Sequence, residues 1–151
     1  MHMRFNVKPP IFLFIALYAG FLSAVELVNI TPEQLLAMQQ QNALVIDIRT
    51  EKEWAESGTI PESLKIQFFD KQGKYDSEQW LTQLNAHRRS SNQPIILVCR
   101  SGNRSAKVGN FLTQQLDMGN IYHLQNGMNA WSKEGREIDK GCPTQMACKE
   151  K

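Results

Sequence analysis

The fold is decided by one stretch of the sequence, Pro94-Ile95-Ile96-Leu97-Val98-Cys99-Arg100-Ser101-Gly102-Asn103-Arg104-Ser105. Its first half is short, apolar and β-branched, follows a proline and ends in a cysteine, which predicts a buried strand. A polar loop with one glycine follows, and apolar residues then recur at helical spacing as far as Leu116. The stretch therefore predicts a turn from the carboxyl end of a strand into a helix, which is where open α/β sheets bind ligands.

The loop after Cys99 has the features of an anion-binding site. Backbone N–H groups in such a turn, and in the first turn of the helix, have no intrahelical partners and can donate to an anion. These donors and the two guanidinium groups of the loop favour the thiolate form of the cysteine. We therefore predict that Cys99 is a nucleophile; the alternative is a buried cysteine beside a solvated loop. The candidate substrate-binding residues are Arg100, Ser101, Gly102, Asn103, Arg104 and Ser105.

The N-terminus has the pattern of an export signal. Arg4 and Lys8 precede an uncharged apolar run, residues 11–22, and a small-residue site ends at Ala24. The run is shorter than the about 20 residues that a membrane-spanning helix needs. We predict that residues 1–24 are a signal peptide cleaved after Ala24, with an uncleaved N-terminal anchor as the alternative.

The charge balance changes when this segment is removed. The full chain of 151 residues carries 17 Lys and Arg against 15 Asp and Glu, and the loss of Arg4 and Lys8 makes the two counts equal. A neutral mature chain does not bind nucleic acid through its bulk charge. Residues 25–140 have the length of one domain with one substantial core.

Two of the three cysteines, Cys142 and Cys148, lie in a polar C-terminal tail, residues 141–151. In an oxidising compartment, two neighbouring cysteines outside the core are expected to form a disulfide, which leaves Cys99 free. Exchange between this pair and Cys99 is a second interpretation. A metal site is the weakest interpretation, since no Cys/His ligand spacing completes it.

Strand-like and helix-like segments alternate along the chain. Thr31-Pro32-Glu33-Gln34 is a capping box with proline at the first helical position, so a helix begins there. The alternation predicts a mostly parallel central sheet with helices on both faces. The predicted strands are 25–30, 43–49, 64–68, 95–98 and 121–124, and the predicted helices begin near 31, 51, 76, 104 and 127.

Four polar residues near these elements receive structural interpretations. Asp47 and Arg49 lie two positions apart on one face of a strand, and we expect them to anchor neighbouring loops by hydrogen bonds. A direct catalytic role for Asp47 is the less favoured alternative, because pairing with an arginine reduces the basicity of a carboxylate. His87 and His123 have no acidic or cysteine partner nearby in the sequence, so each is expected to be a packing or surface residue.

Three spaced motifs occur in order along the chain: an N-terminal signature (Val45–Arg49, Glu53-Trp54, Gly58 and Ile60-Pro61), the loop Cys99–Ser105, and the pair Gly127 and Trp131. Together they resemble the signatures of the rhodanese-like sulfurtransferase family, and the resemblance covers nearly all of the predicted mature chain. The chain departs from frequent family residues at Thr59 in place of histidine, at Glu62-Ser63 in place of glycine-alanine, and at Asn126 in place of glycine.

The resemblance implies a three-layer fold and sulfur transfer in two half-reactions. Cys99 attacks thiosulfate, releases sulfite and holds the sulfur as a persulfide, which a thiophilic acceptor such as cyanide or a thiol then takes. The resemblance implies no metal or organic cofactor, and its partners are a small sulfur-containing anion and this acceptor. Nucleic acid and, after signal cleavage, membrane are not expected partners. With the export signal, the expected location is the bacterial periplasm.

Two other functions stay open, besides a thiol–disulfide protein that uses Cys99 with Cys142 or Cys148. One is a rhodanese-like module that carries persulfide or binds a partner without fast turnover. The other is a cysteine phosphatase or arsenate reductase, which also places a cysteine and an arginine around an anion-binding loop. Four residues separate Cys99 from Arg104, one fewer than in the resembling phosphatases, and the smaller ring favours sulfur anions.

Overall fold

The computed structural model describes residues 25–141, which form a five-stranded sheet. All pairings are parallel, and the strand order is β1-β5-β4-β2-β3. The predicted α/β class is confirmed, and the sheet is parallel throughout. The strands are β1 (Val28–Ile30), β2 (Leu44–Asp47), β3 (Leu64–Lys65), β4 (Ile95–Val98) and β5 (Ile121–Leu124).

Helices connect successive strands and begin at the capping residues that the sequence provides. Thr31 and Gln34 form the predicted capping box, and Thr50 and Glu53 form a second one. The helix after the cysteine loop changes from α-helical to π-helical hydrogen bonding at Phe111. The helices are α1 (Pro32–Gln40), α2 (Glu51–Ser57), α3 (Ser77–His87), α4 (Asn103–Asn110), its π-helical continuation (Phe111–Gln115) and α5 (Gly127–Lys133).

Three of the five strands, β1, β2 and β3, are shorter than the sequence patterns predicted. The third strand was expected over 64–68, but only Leu64 and Lys65 are paired as a strand. Beyond them, the N–H groups of Ile66 and Phe68 still donate to the carbonyls of Asp47 and Ile48, at 3.1 and 3.2 Å. The chain there is extended and buried without continuing the regular ladder, so the pattern identified burial correctly and strand length incorrectly.

Two hydrophobic cores cover the two faces of the sheet. Alternating residues of β4 divide between them: Ile95 and Leu97 join the core under α3 and α4, and Ile96 and Val98 join the core under α1 and α5. Both faces are therefore apolar, which confirms the predicted three layers. The nucleophile candidate follows β4, the strand whose four residues are all buried.

The first turn of α5 is fastened to the backbone of the cysteine loop. The N–H groups of Met128 and Asn129 donate to the carbonyls of Cys99 and Arg100, at 2.8 and 3.0 Å. Gly127 permits this approach: its φ is +53°, and a Cβ there would lie 2.1 Å from the Cys99 carbonyl oxygen. Glycine at position 127 of the family motif thus has a steric reason in this chain.

Two of the departures from the family adopt glycine-like backbone conformations. Glu62 and Asn126 have φ values of +60° and +59°, in the left-handed region. Asparagine tolerates this region, whereas glutamate adopts it at a cost of about 1 kcal/mol. Thr59 is buried, and its backbone forms a two-bond antiparallel bridge to Asp139. None of the three contacts the cysteine by a hydrogen bond within residues 25–141.

The predicted signal peptide, residues 1–24, and the cysteine pair Cys142 and Cys148 lie outside the described residues. Between residues 25 and 141, no helix combines the length and apolarity needed to cross a membrane.

Replacing Gly127 with alanine tests the fastening of α5 to the loop. The new Cβ would clash with backbone atoms of Cys99 and Arg100, so Gly127→Ala should reduce the free energy of unfolding by about 3 kcal/mol or more. Urea denaturation measures this change. Gly119→Ala is the matched control, because a Cβ at position 119 meets nothing within 4 Å. Equal effects of the two substitutions would contradict the steric argument.

Candidate active site

Cys99 lies at the base of the loop and is completely buried. Its Sγ accepts hydrogen bonds from the backbone N–H groups of Gly102 and Ser105, at 3.2 and 3.4 Å. The Ser105 hydroxyl lies 3.4 Å from the same sulfur. Three polar hydrogens can therefore point at the sulfur, which is the arrangement that stabilises a thiolate.

The backbone of Gly102 aims the start of α4 at the sulfur. Gly102 is the N-cap of α4 and has a left-handed φ of +89°. A Cβ at this position would lie 3.0 Å from the backbone nitrogen of Asn126, at the tight limit of contact. Glycine thus allows the loop to turn tightly, and the unpaired N–H groups of the α4 N-terminus face the cysteine.

The remaining predicted loop residues separate into exposed and partly buried groups. Arg100, Ser101 and Asn103 are exposed, and no side-chain hydrogen bond joins them to Cys99 within residues 25–141. Arg104 is partly buried with 30% of its side chain exposed. The structure therefore brings Gly102 and Ser105 to the sulfur, and leaves Arg100 at the surface where it can attract anions.

Arg104 forms a bidentate ion pair with Glu53 of α2. Its Nη1 and Nη2 donate to the two carboxylate oxygens, at 2.8 and 2.5 Å. This hydrogen bonding raises the pKa of Arg104 despite partial burial, and the negative charges of Cys99 and Asp47 add to the effect. Glu53 belongs to the N-terminal signature, but neither that motif nor its capping-box spacing from Thr50 reveals a partner 51 positions away.

Glu53 is held in its ionised form. Burial alone would raise the pKa of its carboxyl, but hydrogen bonds from Arg104 and Thr50 outweigh burial and lower the pKa to about 2. The same carboxylate accepts the Thr50 backbone N–H, at 3.2 Å, as part of the capping box of α2. Glu53 therefore links the start of α2 to the end of the cysteine loop.

Asp47 and Arg49 form a buried ion pair beneath the α2 region. Each has 1% of its side chain exposed, and Arg49 donates to both carboxylate oxygens of Asp47, at 2.7 to 3.0 Å. Arg49 also donates to Ser57 Oγ and to the Gly58 carbonyl, each at 2.6 Å. The pair fastens the end of β2 to the end of α2, as expected of residues that anchor loops.

His123 lies closer to the site than its sequence neighbours indicated. It is 6% exposed, and its Nδ1 lies 3.2 Å from Ser105 Oγ. The sequence predicts a packing or surface residue, because no acidic residue or cysteine lies near His123 in the sequence; its partner Ser105 is 18 positions away. Among residues 25–141, no three His, Cys, Asp or Glu side chains are grouped so as to hold a metal ion.

A parallel α/β sheet with a strand-end cysteine facing the N-terminus of a helix defines a class of anion-binding cysteine domains. The family model of the rhodanese-like domain matches residues 31–134, and the chain belongs to this family. The resemblance drawn from the three motifs is therefore confirmed.

Relatives support this membership, and a solved structure shows the same fold. An adenylyltransferase and sulfurtransferase of Drosophila grimshawi is 31% identical over 110 residues, which cover 71% of this chain and only 22% of that protein. A sulfurtransferase of Allochromatium vinosum is 29% identical over 98 residues, which cover 65% of this chain and 79% of that protein. A rhodanese-related protein from Thermoplasma volcanium has a crystal structure with the same fold: TM-score 0.57, 23% identity, and coverage of 76% of this chain and 99% of the other.

The low pKa of Glu53 makes a prediction about acid stability. Its ionised form contributes stability above the ordinary pKa of 4.5, and that contribution is lost as pH falls from there towards about 2. Glu53→Gln removes the charge, so the variant should be less stable than the wild type at neutral pH and should lose less stability on acidification. Urea denaturation at a series of pH values measures both effects.

Glu56→Gln is the matched control for this measurement. Glu56 lies on the same helix, is 63% exposed, and faces Lys52 at 3.7 Å. Its removal should leave the acid dependence close to that of the wild type, because exposed pairs contribute little. An acid profile of Glu53→Gln that overlays the wild-type profile would contradict the role of the Glu53–Arg104 pair.

Proposed function

We propose that this protein is a thiosulfate sulfurtransferase that carries sulfur as a persulfide on Cys99. The proposal depends on one observation: the Cys99 sulfur accepts hydrogen bonds from the backbone N–H groups of Gly102 and Ser105 at the start of α4. Such donors stabilise a thiolate before the reaction and a persulfide anion after it. Membership of the rhodanese-like family, with relatives named as sulfurtransferases, supports the reaction class.

In the first half-reaction, the Cys99 thiolate attacks the outer sulfur of thiosulfate. A sulfur–sulfur bond forms to Cys99, the bond within thiosulfate breaks, and sulfite leaves with the bonding electron pair. The cysteine persulfide keeps one negative charge. The loop N–H groups donate to this charge, and the guanidinium groups of Arg100 and Arg104 attract the dianionic donor towards the loop.

In the second half-reaction, a thiophilic acceptor attacks the terminal sulfur of the persulfide. With cyanide, the sulfur–sulfur bond breaks, thiocyanate leaves, and the Cys99 thiolate is restored. The loop donors again face the sulfur that receives the electron pair. The reaction needs no metal or organic cofactor, because the transferred sulfur is itself the reactive group.

A persulfide carrier that serves a protein partner is the second candidate. The complete burial of Cys99 favours it, because an acceptor reaches the sulfur only after the loop surface opens. The two candidates differ in turnover: a sulfurtransferase passes sulfur to cyanide in many cycles, whereas a carrier loads once and waits for its partner. The short loop between Cys99 and Arg104 disfavours the third candidate, a phosphatase or arsenate reductase.

We also propose that residues 1–24 direct export to the bacterial periplasm and that Cys142 and Cys148 form a disulfide there. The basic residues before an apolar run support export, and an oxidising compartment supports pairing of the two tail cysteines. The mass of protein recovered from the periplasm tests both points, through the loss of residues 1–24 and of two hydrogens.

Loading with thiosulfate tests the nucleophile. Wild-type protein should gain the mass of one sulfur atom, and cyanide should remove it with release of thiocyanate. Cys99→Ala should gain nothing, and its thermal stability should stay close to that of the wild type, which shows that the change is chemical. Intact mass spectrometry gives the result. An equal gain in Cys99→Ala would place the persulfide on another cysteine, and no gain in either protein would overturn the use of thiosulfate.

The two arginines of the loop should differ in effect. Arg104→Ala removes the partner of Glu53 and leaves an unpaired carboxylate near the sulfur, so kcat/KM for thiosulfate should fall about 30-fold, as for loss of a charged hydrogen bond of about 2 kcal/mol. Arg100→Ala should cause a smaller, salt-sensitive loss, because Arg100 is exposed. Small and equal losses would mean that the backbone N–H groups bind the anion alone.

A double variant separates two explanations for an effect at Arg104. If Arg104 acts by neutralising Glu53, then Glu53→Gln in the Arg104→Ala background should restore part of the lost kcat/KM. If Arg104 binds the donor directly, the double variant should remain as slow as Arg104→Ala.

A further inference from the structure

The Ser105 hydroxyl is the junction of a hydrogen-bonded chain that begins at the nucleophile. Ser105 is completely buried, and its Oγ lies 3.4 Å from Cys99 Sγ, 3.0 Å from the Gly102 carbonyl and 3.2 Å from His123 Nδ1. Ser105 has a single hydroxyl proton, which can point at one of these three neighbours at a time. The direction in which it points is therefore decided by which neighbours offer a lone pair and which offer a hydrogen.

The chain continues beyond Ser105 to the edge of the sheet. His123 Nε2 is hydrogen-bonded to Asn29 Oδ1. This contact exists because β5 lies between β4 and β1, with His123 in register with Asn29 on one side and with Leu97 on the other. The imidazole ring thus spans from the buried serine to an exposed residue of the edge strand.

The partners of the two ring nitrogens define the proton positions. Asn29 presents an oxygen to Nε2, so this nitrogen carries the hydrogen of a neutral ring and Nδ1 carries a lone pair. The neutral ring suits its surroundings, since burial lowers the pKa of His123. Nδ1 and the Gly102 carbonyl are then the two acceptors open to the Ser105 hydroxyl, and the relay uses the orientation in which the hydroxyl points at Nδ1 and its lone pairs face the S–H of Cys99.

We propose that Ser105, His123 and Asn29 form a proton relay that converts the Cys99 thiol into the reactive thiolate. The S–H bond breaks and its proton passes to Ser105 Oγ, while the serine proton passes to His123 Nδ1. The electron pair stays on sulfur, where the Gly102 and Ser105 N–H groups receive it. Asn29 Oδ1 and the negative charge formed on the sulfur stabilise the resulting imidazolium against burial, which lowers the pKa of His123, and His123 acts as a positioning residue through Ser105.

Cys99 is the titratable group that hydrogen bonds through Ser105 connect to His123. Neither β1 nor β4 contains a charged residue, and Cys99 follows β4 directly. On α4, Lys107 is exposed and Arg104 is paired with Glu53. On α5, the charged residue is Lys133, which is exposed. The ring therefore faces one proton source among the elements packed against β5.

The relay rests on the proposed function, in which Cys99 is the sulfur nucleophile, but it can be tested without any sulfur donor. The pH profile of Cys99 alkylation by iodoacetamide reports thiolate formation directly. The full mature chain is used with Cys142→Ser and Cys148→Ser, so that Cys99 is its sole thiol. Midpoints of the profiles are compared, rather than absolute rates, because the reagent must reach a buried sulfur in every variant.

Two substitutions should move the midpoint in opposite directions. His123→Gln can still form hydrogen bonds but cannot take a proton, so the midpoint should rise by about one pH unit, which is an about tenfold slower alkylation at neutral pH. Asn29→Asp places a carboxylate beside Nε2 and stabilises the imidazolium, so the midpoint should fall. Ser105→Ala should raise the midpoint, and combining it with His123→Gln should raise it no further.

His87→Gln is the matched control, since His87 is an exposed histidine bonded to its own helix, and its profile should equal the wild-type profile. Thermal melting of every variant shows whether it is folded, and Asn29→Asp changes an exposed residue. Profiles of His123→Gln and Asn29→Asp that overlay the wild type, or shift in the same direction, would overturn the relay. Failure of the wild type to gain sulfur from thiosulfate would instead overturn the proposed donor and leave these profiles interpretable.

Discussion

The backbone hydrogen bonds between the first turn of α5 and the cysteine loop determine the geometry of the site. Met128 and Asn129 bind the carbonyls of Cys99 and Arg100, so these carbonyls point away from the loop centre. The N–H groups of Gly102 and Ser105, further along the same loop, face the sulfur. An anion site made of neutral dipoles therefore depends on a helix, remote in sequence, that fixes the loop backbone at the two residues where the loop begins.

Ion pairs balance the side-chain charges at the site, and the hydrogen bonds to the sulfur come mainly from backbone N–H groups. The Asp47–Arg49 and Glu53–Arg104 pairs each join a carboxylate and a guanidinium, and both fasten α2 to the sheet or to the loop. Glu53 therefore partly cancels the positive charge of Arg104 in the loop. Fixed N–H groups remain effective in such an environment, because they need no reorganisation when charge appears on the sulfur.

Local patterns predicted the parts of the site that depend on neighbours in sequence. The strand before Cys99, the tight turn at Gly102, the Thr31 capping box and the pairing of Asp47 with Arg49 all involve residues within a few positions of each other. The Glu53–Arg104 pair and the contact between His123 and Ser105 could not be predicted in this way. Both require knowledge of strand order, which places β5 between β1 and β4 and brings α2 beside the loop.

The complete burial of Cys99 also bears on chemical damage. Thiolates are oxidised in steps to sulfenic, sulfinic and sulfonic acids, and exposure of the sulfur governs how readily this occurs. A covered sulfur that is lined by N–H donors favours entry of a small anion over an uncharged peroxide. The loop thus limits the access of oxidants to the sulfur.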